Sequence, residues 1–146
     1  MIRLPPISLL LVASAAAAQP ALPWGSFPAA LADAAASGRP VLVYAYADWC
    51  APCHRLERET FADAAVRGRL ARFALARLDF DDRESAQQVG PYRLSPAAWA
   101  ERLGAEATPA LVFLTADGAV LGRVAGFLEP AALLPLLDAA LADAPR

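Results

Sequence analysis

The chain has 146 residues, enough for one domain whose core can hold it together without cross-links. Its net charge is −2, acids and arginines are interspersed, and there is no lysine, so no basic patch is available for a phosphate backbone and nucleic acid is excluded as a partner. Alanine accounts for much of the 58% hydrophobic content, which therefore overstates the core.

Residues 1–18 read as an export leader that is cleaved. Arg3 brings positive charge, Ile7 to Val12 and the alanines beyond form a short apolar stretch, and Ala16-Ala17-Ala18 supply small residues for cleavage. The stretch is too short and alanine-rich for a membrane span, which needs about 20 apolar residues. An uncleaved anchor or a frayed cytosolic tail is the competing reading, and no cysteine follows to carry a lipid. The mature domain, residues 19–146, then starts near Gln19 in a compartment where disulfides persist.

Gln19 to Gly25, with Pro20 and Pro23, predicts an extended lead-in. Ser26 caps a helix over Pro28 to Ala36 that places Phe27, Leu31 and Ala34 on one face and stops at Gly38. Val41 to Ala47 is β-branched and aromatic and almost continuously apolar, as a central strand covered on both faces would be. Ala51 to Arg58 has helical composition. Pro52 is compatible only with a first turn, so that helix starts close to Cys50. Asp63 caps a further helix over Ala64 to Ala71, and Phe73 to Phe80 alternates as a strand.

Ser85 to Arg93 has no clear period, and Ser95-Pro96 opens a helix through Leu103 with Trp99 and Leu103 four apart. Strands over Ala110 to Thr115 and Ala119 to Ala125 flank the turn Ala116-Asp117-Gly118. Glu129-Pro130 begins a last amphipathic helix through Leu141, in which Pro135 should produce a kink or shift the start. The order is that of a layered α/β domain, without repeats or an interdomain linker, and a monomer is expected.

Both cysteines lie in Trp49-Cys50-Ala51-Pro52-Cys53-His54. A scaffold of structural disulfides would spread cysteines along the chain, so this concentration points to reactivity. Thiol-disulfide exchange needs a thiolate to attack and a second thiol to resolve the mixed disulfide. A helix start stabilises the first thiolate, and the i, i+3 spacing brings the second sulfur within reach. Cys50 is then the nucleophile and Cys53 the resolving thiol, their redox-active disulfide serving in place of any cofactor. A zinc half-site would need two more soft ligands beyond His54, the single histidine, so no metal is expected. A purely structural disulfide would more usually close a longer loop.

The run Val41 to Cys53 resembles the active-site strand and loop of the thioredoxin superfamily. Tyr46 to Glu57 with Thr60-Phe61-Ala62-Asp63, then Thr108-Pro109, Asp117-Gly118 and Arg123 to Phe127, are similar to the periplasmic C-terminal domain of DsbD-type thiol:disulfide interchange proteins. The resemblance implies a thioredoxin-like fold, a central mixed sheet with helices on both faces, and a periplasmic protein-disulfide reductase or exchange protein. It also implies a cis-proline at Pro109, with Thr108 offering its backbone to an extended client segment, and Pro52 and Trp49 beside the sulfurs. Trp49 acts there as a lid or as a plain hydrophobic cap. Partners would be client disulfides and thiols together with a membrane thiol electron donor. An oxidase or isomerase could use the same residues, and a redox-inert binding module could keep the pair permanently closed.

The chain departs from that pattern at Tyr44, six residues before Cys50, where many relatives carry a buried acid. A phenol with a reference pKa of about 10 does not accept a thiol proton at neutral pH. Glu57, one turn beyond Cys53 and at the place of a second acid in the DsbD-type domain, is the expected proton acceptor. The alternative is a solvated helix-face acid paired with Arg55 or Arg58. Arg77 falls where thioredoxins often hold a lysine near the acid, and with Tyr44 in the acid's place little role is expected of it. His54 could tune the pair electrostatically or simply be solvated. Ser85 to Arg93 exceeds what the family core needs, as a client-selective loop or a neutral insertion.

Overall fold

The computed structural model describes Met1 and residues 18–144; the expected leader lies outside the described residues except at Met1 and Ala18. The elements in chain order are α1 (Phe27–Ser37), β1 (Val41–Tyr46), α2 (Ala51–Arg55), a π-helical turn (Leu56–Thr60), α3 (Ala64–Leu70) and β2 (Ala74–Asp79). They continue with β3 (Gln87–Val89), β4 (Tyr92–Leu94), α4 (Pro96–Arg102), β5 (Ala110–Leu114), β6 (Val120–Ala125) and α5 (Pro130–Ala142). The expected helix starts hold at the caps. The side chains of Ser26, Asp63 and Ser95 each accept the backbone N–H three residues on, satisfying a donor that the helix itself leaves free. Gly38 ends α1 at φ 75°, a conformation open to glycine without steric cost.

The main sheet has the order β2-β1-β5-β6, with β1 parallel to β2 and antiparallel to β5, and β5 antiparallel to β6. Because side chains alternate across a strand, β1 divides its residues between two cores. Val41, Val43 and Ala45 pack with Phe27, Ala30 and Ala34 of α1 and Trp99 and Ala100 of α4. Leu42 and Tyr44 face the other way, among Cys53, Leu56, Val66, Leu70, Leu133 and Leu137. Helices therefore cover both faces, and the cysteine-bearing helix lies on the second. Among the described residues no helix is long and apolar enough to cross a membrane.

Three local readings are sharpened. The helix expected over Ala51 to Arg58 is α-helical only to Arg55, and its next turn widens, with Phe61 N–H donating to Leu56 O across five residues. Ser85 to Arg93 resolves into a small antiparallel hairpin, β3 with β4, tied to α4 where Trp99 Nε1 donates to Gln87 O at 3.0 Å. Finally, α5 starts at Pro130 and continues through Pro135. Leu133 and Leu137 on either side of that proline are fully buried, and their packing outweighs the backbone bond that it cannot donate.

Candidate active site: the cysteine pair and the Tyr44–Glu57–Arg77 cluster

Cys50 and Cys53 are joined as a disulfide, with Cα atoms 5.2 Å apart. Cys50 is the N-cap of α2 in extended backbone conformation, and its Sγ accepts the Cys53 N–H at 3.2 Å. A free helix N–H is thus already aimed at the sulfur that would carry thiolate charge. The sulfur-bearing residues are 2% and 0% exposed, while Ala51, Pro52 and His54 around them are exposed.

Trp49 does not form a hydrophobic cap. It is 70% exposed, and its Nε1 donates to Asp81 Oδ2 at 2.6 Å, which ties it to the end of β2. The Thr108–Pro109 peptide is cis. It stands immediately before β5, whose ladder with β1 begins at Ala110, and Gly126 N–H donates to Pro109 O at 2.8 Å to close this loop against the start of the α5 connection. The Thr108 hydroxyl is buried without a hydrogen-bond partner.

Glu57 projects toward the sheet. Its Oε1 accepts from the Tyr44 hydroxyl at 3.1 Å and from Arg77 Nη2 at 3.0 Å. Arg77, of which little role is expected from the sequence, thus stands on the Glu57 carboxylate. Arg77 lies directly opposite Tyr44 in the parallel β1–β2 register, so both side chains leave the sheet on the face that the π turn covers. The guanidinium also stacks over Tyr46, 3.7 Å from the ring centroid. The alternative partners expected for Glu57 are engaged elsewhere or exposed: Arg55 pairs with Glu59 at 3.1 Å and stacks over Phe127, and Arg58 is exposed.

Burial pushes the Tyr44 phenol well above its ordinary range, with the neighbouring Glu57 carboxylate adding to the shift and Arg77 opposing it. Tyr44 is therefore a standing hydrogen-bond donor. Tyr46 moves in the same direction, again mainly through burial. Trp24 and Phe61 complete an aromatic wall around Tyr44, with ring centroids 5.5 and 5.2 Å away.

The sequence singles out Glu57 by its spacing to Cys53 and leaves its hydrogen-bond partners unmarked. One available signal was Arg77 itself, a charged residue in mid-strand on a face otherwise buried. Among the described residues no group of three or more His, Cys, Asp or Glu side chains could hold a metal ion.

The thioredoxin-like domain family matches residues 27–141. The thiol:disulfide interchange protein DsbD of Ralstonia nicotianae is 36% identical over 121 residues, 79% of this chain and 18% of that protein, so the chain spans less than a fifth of this relative's length. A thioredoxin from Thermus thermophilus has a TM-score of 0.66 at 30% identity, covering 80% of this chain and 84% of that one. The reduced C-terminal domain of DsbD from Neisseria meningitidis, at 18% identity and TM-score 0.57, shares the fold over 77% of this chain and 96% of its own.

Proposed function

This chain belongs to the thioredoxin-like family, and on that premise we propose that it is an exported, periplasmic thiol-disulfide oxidoreductase that reduces or exchanges disulfides in client proteins. The observation that carries the reading is the Cys50–Cys53 disulfide at a helix start, with the Cys53 N–H donated to Cys50 Sγ. In the reduced protein the Cys50 thiolate attacks a client disulfide and forms a mixed disulfide, releasing one client thiolate. Cys53 then loses its proton and attacks Cys50 Sγ, and the second client sulfur leaves with the electron pair and takes up a proton. Two electrons pass from the dithiol to the client.

Thr108, just ahead of β5, offers its backbone to the client strand beside Pro109, so recognition is mainly through the main chain and only weakly selective for sequence. Trp49 and Pro52 form the exposed rim that the client meets. Glu57, one turn beyond Cys53, receives the resolving thiol's proton. Because reduction consumes the dithiol and the periplasm has no reducing buffer, a membrane thiol relay resupplies the electrons.

Insulin reduction by the wild type and by Cys50→Ser tests the activity. Turnover by the wild type alone is expected, and inactivity of both would mean that the disulfide is inert. Equilibration with glutathione tests direction. A potential near about −270 mV supports reduction, whereas one near about −120 mV would make the protein an oxidant. A pH–rate profile for Glu57→Gln tests the proton acceptor, and an unchanged profile would remove Glu57 from the chemistry.

A further inference from the structure

Beside Glu57 lies an open cleft of about 500 Å³, walled by Leu22, Trp24, Phe61 and Ala62 and edged by Arg67 and Arg77. None of Trp49, Cys50, Pro52, Thr108 or Pro109 lines it. The acid and its guanidinium partner remain partly open to solvent, their side chains 34% and 36% exposed, while Tyr44 behind them is fully buried. Glu57 thus has a dry side, where a phenol and a guanidinium converge on Oε1, and a wet side in the cleft.

We propose that Tyr44 and Arg77 form a carboxylate seat that holds Glu57 for proton transfer from Cys53, and that the cleft, separate from the client-binding rim, is where this proton reaches solvent. The proposal rests on the reading of Glu57 as proton acceptor. While a client is bound through Cys50, its own bulk covers the rim around Trp49 and Pro109. The Cys53 thiol gives its proton to Oε2 of Glu57, since both donors occupy Oε1. The Cys53 thiolate attacks Cys50 Sγ, the Cys50–client bond breaks, and the client sulfur leaves with the electron pair and is protonated by solvent. Glu57 then releases its proton to water in the cleft.

Tyrosine suits this position because a buried phenol already donating to Glu57 stays protonated and donates throughout the cycle. Arg77 is itself fixed by stacking on Tyr46. The other ionisable groups around the seat are Tyr46 on β1, Asp48 just beyond it, Asp79 on β2 and Arg67 on α3, and of the carboxylates only Glu57 accepts from both Tyr44 and Arg77. Tyr44 and Arg77 are positioning residues, and Glu57 handles the proton.

Chemical rescue tests the seat. Stopped-flow release of the leaving thiol from a peptide disulfide is followed across pH at constant ionic strength, with and without acetate. Glu57→Ala is expected to slow the release phase by about 100-fold, and acetate entering the vacated seat should recover at least about tenfold. Adding Tyr44→Phe or Arg77→Met to Glu57→Ala should abolish the recovery, as should Ala62→Trp, which fills the cleft from its rim. Tyr44→Phe alone, which keeps the ring and so the packing, should shift the pH profile of release.

If Glu57→Ala is slowed but acetate rescues no variant, the seat and the cleft route are overturned while Glu57 keeps its role. If acetate rescue survives Ala62→Trp, the cleft is not the route. A wild-type pH profile in Tyr44→Phe would overturn the positioning role. Should Glu57→Ala release at the wild-type rate, the reading of Glu57 itself falls and the proposal with it.

Discussion

Trp49 projects into solvent from beside Cys50, yet its indole N–H is held by Asp81 Oδ2 at 2.6 Å. On the proposed reading of Trp49 as part of the rim that clients meet, a ring held in this way binds at little entropic cost. Asp81→Ala should free the ring. Ordering a freed side chain on binding costs about 0.5–1.5 kcal/mol, so KM for a peptide disulfide should rise about two- to tenfold with little change in kcat. Steady-state kinetics and Trp49 fluorescence anisotropy check this, and an unchanged KM would mean that ring orientation does not matter to the client.

The two cysteines should separate cleanly by trapping. Cys53→Ser leaves Cys50 able to attack and unable to be released, so mixed disulfides with clients should accumulate and disappear on reduction. Cys50→Ser should trap far fewer, because Cys53 is fully buried. Non-reducing electrophoresis with mass spectrometry reads the outcome, and equal trapping by both variants would reverse or abolish the assigned roles.

The π turn is anchored at its end by Thr60, a fully buried residue whose hydroxyl donates to Leu128 O in the connection to α5. Thr60→Val keeps the shape and strands that carbonyl, which should cost about 1–3 kcal/mol. Chemical denaturation measures it. A loss well below that range would show that the carbonyl finds water instead.

The alkaline stability of the oxidised protein should depend on tyrosine. The chain has no lysine, and burial holds the Tyr44 phenol above its ordinary value in the folded state. The unfolded chain releases that proton near pH 10, so the associated stability is complete below about pH 10 and is lost as pH rises toward the folded value. Tyr46 acts in the same sense. Denaturation midpoints should fall between about pH 9 and pH 11 in the wild type, and less steeply in Tyr44→Phe. Equal slopes would show that Tyr44 ionises freely in the fold.

Much of the fold could be read locally. Ser26, Asp63 and Ser95 marked helix starts because a cap acts within three residues, and Val41 to Tyr46 declared a central strand through its unbroken apolar run. The hairpin over Gln87 to Leu94 escaped because its short strands are stabilised by α4 packing and the Trp99 bond, which no local period encodes. The π turn escaped for a similar reason. It ends at Thr60, whose hydroxyl is anchored to a segment 68 residues away.

The redox pair itself was determined by sequence, since two cysteines three apart at a helix start form a site from consecutive residues alone. The surroundings of that site were decided by tertiary structure. Only the parallel pairing of β1 with β2 sets Tyr44 opposite Arg77, and only the packing of the π turn on that face brings Glu57 to both. The proposed proton handling depends on distances between groups far apart in the chain. Local periodicity carries no information about which strands become neighbours, so the acid was visible in the sequence and its two partners were not.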